Sequence, residues 1–77
     1  MRLTQKQRLK VFFASRPNQW IPLYEILDLH ISQYNARIYD LRAMGITIEN
    51  KEEWVNGQKH TWFRYVPRER QQVFNIG

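Results

Sequence analysis

The pattern of apolar and polar residues along the chain changes its period at Gly45. Before Gly45, apolar residues recur at the intervals typical of amphipathic helices. After it, apolar and polar residues alternate as in β-strands, and Asn56-Gly57 within this segment is typical of a tight hairpin turn. The pattern therefore predicts helices in the first part of the chain and a β-hairpin in the second.

Two helices are predicted first. Thr4 and Gln7 have the spacing of a capping box, so the first helix begins at Thr4. It ends before Pro17, because the residue before a proline is disfavoured in helical geometry. The second helix covers about residues 22–29, since Pro22 suits the first turn of a helix. The buried faces of these helices are expected to contain Leu9, Phe12, Phe13, Leu23, Ile26, Leu27 and Leu29.

A third helix is predicted over about residues 33–44. Ser32 has the side chain of an N-cap residue, and Gly45 stands where a left-handed residue commonly follows a helix. Ile38 and Leu41 form the apolar stripe between them. Because only a few residues separate this helix from the second one, the two helices are expected to cross as in a helix–turn–helix.

The Asn56-Gly57 turn also predicts the register of the hairpin. It pairs Val55 with Gln58, Trp54 with Lys59, Lys51 with Trp62, Glu49 with Arg64 and Ile48 with Tyr65. The residues expected to point into the core are Ile46, Ile48, Phe63 and Tyr65. The opposite face then carries one pair of opposite charges and one cation–π pair, which supports this register. Residues 19–21 are long enough to add a short third edge strand.

Composition restricts the setting of this fold. The chain has 77 residues, no cysteine, a net charge of +5 and a pI near 10.0. It is expected to form one domain over residues 1–66, without disulfides, and to work in the cytoplasm without a leader peptide or a membrane span. The tail, residues 67–77, is either disordered or forms a homodimer contact through Val73, Phe74 and Ile76. The positive charge favours polyanionic partners.

The segment ARIYDLRAMGITIEN, followed by a hairpin and by HTWFRY, resembles the small winged helix–turn–helix domains of phage and prophage proteins. The resemblance covers about residues 4–66. It implies an α+β fold with a three-helix core and a C-terminal β-hairpin wing. It also implies double-stranded DNA as the partner, in transcription regulation or DNA processing in the cytoplasm of a bacterial host. Its most specific positions are Arg37, Ile38, Leu41, Arg42, Gly45, Ile46 and Ile48.

In such a fold the third helix enters the major groove, and residues near its start face the bases. Gln33 and Asn35 carry amides that can pair with adenine, and Tyr39 can contact a thymine methyl group or a phosphate. Asn35 has an alternative role in completing the cap at Ser32.

A second set of residues is expected to contact the DNA backbone. Its members are the cationic side chains of the first and third helices and the hairpin, together with one histidine: Lys6, Arg37, Arg42, Lys51, Lys59 and His60. Arg37 has an alternative partner in Asp40, three residues later on the same helix. Glu52 and Glu53 would repel phosphate unless they point away from it.

The sequence also bears on three functions other than DNA binding. A protein-interaction module would use Tyr34, Tyr39, Trp54 and Trp62 as aromatic anchors. RNA binding is a weaker alternative, since the sequence contains no RNA-binding motif. An enzyme is not expected, because no nucleophile motif or glycine-rich loop is present. Asp28 and His30 lack a third ligand in the sequence, so neither a metal nor a cofactor is expected.

Overall fold

The change of period at Gly45 is the point at which the structure changes from helices to sheet. A computed structural model describes residues 3–67, and the predicted tail contacts lie outside these residues. The described chain is a small α+β domain with three helices and a three-stranded antiparallel sheet of order β1-β3-β2. In chain order the elements are α1 (Gln5–Ala14), β1 (Ile21–Pro22), α2 (Leu23–Leu27), α3 (Tyr34–Ala43), β2 (Thr47–Val55) and β3 (Gln58–Val66).

Helix α1 begins as its sequence predicts. The Thr4 side chain accepts a hydrogen bond from the Gln7 amide, and the Gln7 side chain accepts one from the Thr4 amide. Leu9 and Phe13 are buried, and Phe12 packs against the core. The capping box and the apolar face of the first helix are therefore confirmed.

Helix α2 is shorter than the predicted span of residues 22–29, and the assignment of Leu27 to the buried face was wrong. Ile26 is fully buried, but Leu27 is 54% exposed. The helix ends early because His30 adopts a positive φ of 56° and the chain closes into a tight turn. In that turn the His30 amide donates to the Leu27 carbonyl at 3.0 Å, and Ile31 enters the core instead of Leu27.

Helix α3 begins at Tyr34, one residue later than predicted, and the proposed Ser32 cap was wrong. Gln33 occupies the N-cap position with φ 55° and ψ 52°, and no side chain caps the helix. This left-handed residue turns the chain so sharply that the Ser32 side chain makes no hydrogen bond to the helix start. Asn35 accordingly has no Ser32 cap to complete.

The end of α3 agrees with the sequence. Gly45 has a φ of 93°, in the region that favours glycine. Its amide donates to the Arg42 carbonyl at 2.9 Å, and the Ile46 amide donates to the Leu41 carbonyl at 3.1 Å. These two bonds form a Schellman motif, which satisfies carbonyls at the helix end and leads the chain directly into β2.

The hairpin has the predicted register at all five predicted pairs. Asn56 and Gly57 both have positive φ, at 52° and 80°, as a type I′ turn requires. The third edge strand is present but shifted from residues 19–21 to Ile21–Pro22, opposite Phe63 and Trp62. Proline is tolerated in this strand because the strand lies at the sheet edge.

Nine buried side chains form one core between the helices and the sheet: Leu9, Phe13, Ile21, Ile26, Ile31, Ile38, Leu41, Ile48 and Phe63. Ile46 and Tyr65, both predicted to face the core, are partly buried against it. No helix in residues 3–67 is long and apolar enough to cross a bilayer.

We predict that Thr4→Ala lowers the free energy of unfolding by about 1 kcal/mol, because it removes one side of the capping box. Ser32→Ala is the matched control and should change it by less than about 0.5 kcal/mol, since Ser32 caps nothing in the described structure. Urea denaturation of both variants measures the difference. A loss from Ser32→Ala as large as that from Thr4→Ala would contradict the observed start of α3.

Candidate nucleic-acid interface

The exposed face of α3 contains the three residues predicted to face DNA bases. Gln33, Asn35 and Tyr39 are all exposed, and the Tyr39 side chain is 72% exposed. Asn35 and Tyr39 are four residues apart and therefore neighbours on the same helix face. Gln33 precedes this strip of Asn35 and Tyr39, at the N-cap. Asn35 and Tyr39 thus share one exposed surface of the helix, and Gln33 is exposed at its start.

Arg42 makes contacts within the domain that its predicted role on DNA did not include. Its Nε and Nη2 donate to the Ile48 carbonyl at 2.9 and 2.6 Å, and Nη2 lies 3.5 Å from Asn50 Oδ1. Because β2 is an edge strand, the guanidinium supplies a partner to a backbone carbonyl at the open side of the sheet. Arg42 thus joins α3 to β2.

Arg37 forms the intrahelical contact that was its alternative role. Its Nε lies 3.1 Å from Asp40 Oδ2. The Nε atom is buried yet makes no hydrogen bond, so the contact with Asp40 is electrostatic and poorly directed. Lys6 and Arg37 line the same shallow depression between the start of α1 and α3. Among residues 3–67, Lys6 has no ion-pair partner.

The two faces of the hairpin separate the remaining cationic candidates. The inner face, on the side of Ile48 and Phe63, also carries Asn50, Glu52, Trp54, Lys59 and Thr61. The outer face carries Glu49, Lys51, Glu53, His60, Trp62 and Arg64. Lys59 is therefore on the side of α3, whereas Lys51 and His60 are on the opposite side of the strands. The sequence had grouped all three residues as one backbone-contact set.

Aromatic rings and cations alternate on the outer face. Lys51 Nζ lies 5.1 Å from the centre of the Trp62 ring and 4.8 Å from that of Trp20. Arg64 stacks on Trp20 at 4.5 Å and donates from Nε to the Glu49 carboxylate at 3.0 Å. The predicted ion pair and cation–π pair are confirmed. The contribution of Trp20 was missed, although continuing the β1–β3 pairing by one residue places it opposite Arg64.

A polar cleft of about 360 Å³ lies between α3 and the inner face of the hairpin. Asn35 and Arg42 line it from the helix, and Glu52 and Lys59 line it from the strands. Lys59 Nζ is 3.6 Å from Glu52 Oε2, and each side chain is 48% exposed. Asn50 and Thr61 complete the polar lining. The sequence search missed these two, although the predicted register places both on the side of Phe63.

Asp28 and His30 both lie exposed at the turn after α2. Within residues 3–67, no three histidine, cysteine or acidic side chains are grouped so that they could hold a metal ion.

In comparisons with known proteins, no family model, no curated protein and no solved structure matches the chain.

We predict that Arg42→Ala lowers the free energy of unfolding by about 1–2 kcal/mol, because the Ile48 carbonyl loses its charged hydrogen-bond donor. Arg37→Ala is the control of the same residue type on the same helix. It should cost a few tenths of a kcal/mol, the usual value of a pair three residues apart on a helix. Urea denaturation measures both, and equal losses would contradict the role of Arg42 in joining α3 to β2.

Proposed function

We propose that the chain is a winged helix–turn–helix domain that binds double-stranded DNA, with α3 in the major groove and the β2–β3 hairpin as the wing on the backbone. The main support for this proposal is that α3 and the hairpin line the same cleft. The exposed start of α3 and the inner face of the hairpin flank one polar cleft, which contains Asn35 and Lys59. A duplex placed against α3 therefore meets the hairpin as well.

The order of elements supports the same assignment. A short edge strand precedes α2, a tight turn links α2 to α3, and the two longest strands follow as a hairpin. The hairpin extends beyond the core, since residues 52–60 are all exposed. An exposed hairpin that follows two helices joined by a tight turn is the arrangement that the resemblance to winged helix–turn–helix domains implies.

The exposed strip on α3 supplies the chemistry for contact with bases. The Gln33 and Asn35 amides can each donate and accept, as the edge of adenine requires. Tyr39 presents a ring and a hydroxyl, which suit a thymine methyl group or a phosphate oxygen. In this proposal Gln33 and Asn35 contribute sequence preference, Tyr39 contributes to both preference and affinity, and the cations contribute affinity.

The ion pairs decide which cations are available to phosphate. Lys59 is paired with Glu52 through half-exposed side chains, and such pairs are weak enough to be exchanged for another anion. Lys6 is unpaired within residues 3–67 and lies beside α3. We assign the main phosphate contacts to Lys6 and Lys59, with a smaller share for Arg37. Lys51 and His60, on the outer face, would contact the backbone only from the far side of the wing.

A protein-interaction module is the second candidate, and one surface favours it. Tyr24 and Leu27 are 65% and 54% exposed and line a groove of about 520 Å³ between α2 and β3. Of the four proposed aromatic anchors, Tyr39 and Trp54 are the exposed ones. Tyr34 packs edge-on against Phe63 inside the domain. A protein partner bound in this groove would use a surface different from the strip on α3, which carries Tyr39.

We propose a cytoplasmic role in a bacterial host, in transcription regulation or as an accessory factor in DNA processing, as the resemblance to phage domains implies. A single domain of this size contacts few base pairs, so strong sequence preference would require two adjacent copies.

We predict that the chain binds a random-sequence duplex and that the affinity falls at least tenfold between about 50 and 200 mM salt. About two phosphate contacts are enough for a tenfold fall, because each contact releases counterions on binding. Fluorescence anisotropy with a labelled duplex at several salt concentrations measures it. Absence of binding at 50 mM salt would reject the DNA proposal and leave the protein-interaction module as the leading function.

Two tyrosines distinguish the two candidate surfaces. We predict that Tyr39→Ala weakens duplex binding about three- to tenfold, the effect of one lost hydrogen bond at an interface. Tyr24→Ala removes a ring of similar exposure from the groove beside α2 and should leave duplex affinity unchanged. The same anisotropy titration compares them. If Tyr24→Ala is the more damaging variant, the DNA surface does not lie on α3.

A further inference from the structure

The cleft between α3 and the hairpin contains a paired cation and anion. Glu52 lies on β2 opposite Thr61, and Lys59 lies on β3 opposite Trp54, so both charges point to the inner face. The ammonium and the carboxylate are 3.6 Å apart, and each side chain remains about half exposed to solvent. Lys59, the one lysine that lines the cleft among residues 3–67, is thus held by a carboxylate in the same cleft.

From this geometry we infer that one sugar–phosphate strand of the duplex lies in the cleft, that Lys59 is its phosphate ligand, and that Glu52 limits the affinity. This inference rests on the proposed DNA-binding function. Glu52 acts in two ways: its carboxylate competes with phosphate for Lys59, and its negative charge repels the phosphate that replaces it. The domain therefore binds DNA more weakly than its cations would otherwise allow.

The neutral side chains of the cleft fit a phosphodiester. Asn50 Oδ1 faces the Arg42 guanidinium, which leaves the Asn50 NH2 group to donate elsewhere. The Thr61 hydroxyl and the Asn35 amide add donors on the two walls. Amide and hydroxyl donors together with a lysine are common partners of DNA phosphate and sugar oxygens. Contacts with phosphate and sugar do not distinguish one base sequence from another, so the cleft contributes affinity and orientation.

Lys59 is able to exchange its partner. Its ammonium carries three donors on a flexible four-carbon stem, so it can turn from Glu52 to a phosphate without moving the strand. Arg42 is different, because its guanidinium is held by the Ile48 carbonyl. Lys59 is therefore the cation of the cleft whose contact changes on binding, and Glu52 is the group that opposes the change.

The next residue of β2 provides a matched control. Glu53 has the same charge as Glu52 but lies on the outer face, opposite His60. Glu52→Gln and Glu53→Gln each raise the net charge by one, on the same strand and at adjacent positions. A general effect of net charge changes both variants equally, whereas a site in the cleft responds only to Glu52.

We expect Glu52→Gln to bind a random-sequence duplex about three- to tenfold more tightly than the wild type at about 50 mM salt. This is the order of effect of removing one like charge a few ångströms from a phosphate. The slope of log affinity against log salt should also become steeper, by up to about 0.9, because Lys59 is then free to displace a counterion. Glu53→Gln should stay within about twofold of the wild type, with an unchanged slope. Anisotropy titrations at four salt concentrations measure both quantities.

Lys59→Ala completes the test. It should weaken binding in the wild-type background. The increase in salt slope that Glu52→Gln causes should disappear in the Glu52→Gln/Lys59→Ala double variant, because that increase requires a free Lys59 ammonium. Circular dichroism checks that each variant is folded, and Lys59→Ala alone tests the lysine independently of Glu52.

The experiments distinguish a failure of DNA binding from a failure of the role assigned to Glu52. If neither the wild type nor any variant binds the duplex at low salt, the proposed function is rejected. If the wild type binds and the two glutamine variants behave alike, DNA binding stands and the role of Glu52 is rejected. An increase in salt slope from Glu52→Gln that survives in the Lys59→Ala background would also overturn the assignment of Lys59 as the phosphate ligand.

Discussion

The position of the hairpin relative to the helices depends on the junction between α3 and β2. Gly45 adopts a left-handed conformation, and its amide and that of Ile46 return to carbonyls of the last helical turn. Arg42 then spans the junction and donates to the Ile48 carbonyl on the edge strand. Only three residues, 44–46, lie between the helix and the hairpin, so the direction of the hairpin follows from that of α3. The cleft between them forms because the helix-end hydrogen bonds and the Arg42 contacts both hold this junction in place.

Some cationic side chains stabilise the fold, and others remain available for a binding partner. A positive chain of this size would be expected to present most of its lysines and arginines to a polyanion. Instead, Arg42 stabilises the junction, Arg8 donates to the Leu29 carbonyl, and Arg16 pairs with Glu25. Much of the positive charge thus serves the fold. Lys59, in contrast, has a long flexible side chain, and the carboxylate with which it pairs, that of Glu52, is half exposed to solvent.

The outer face of the sheet has a different role from the cleft. Strand β1 has only two residues and contributes few hydrogen bonds to the sheet. Trp20, which precedes it, lies against Lys51 of β2 and Arg64 of β3. These ring–cation contacts join all three strands on the side that the helices do not cover. They support the hairpin against which the cleft is built, and they explain why Lys51 is a poor candidate for a phosphate contact on the side of α3.

The features that depend on neighbours along the chain follow from the sequence alone. The Thr4 capping box, the Gly45 helix end and the register set by Asn56-Gly57 were all predictable, because each rests on the backbone dihedral angles and hydrogen bonds of a few consecutive residues. The other features arise from contacts between elements that are distant in the sequence. Gln33 takes the N-cap position that the sequence assigned to Ser32. Ile31 is buried in the core in place of Leu27. Arg42 donates hydrogen bonds to the Ile48 carbonyl. Those outcomes depend on distances between elements that are brought together only by packing, so no local pattern specifies them.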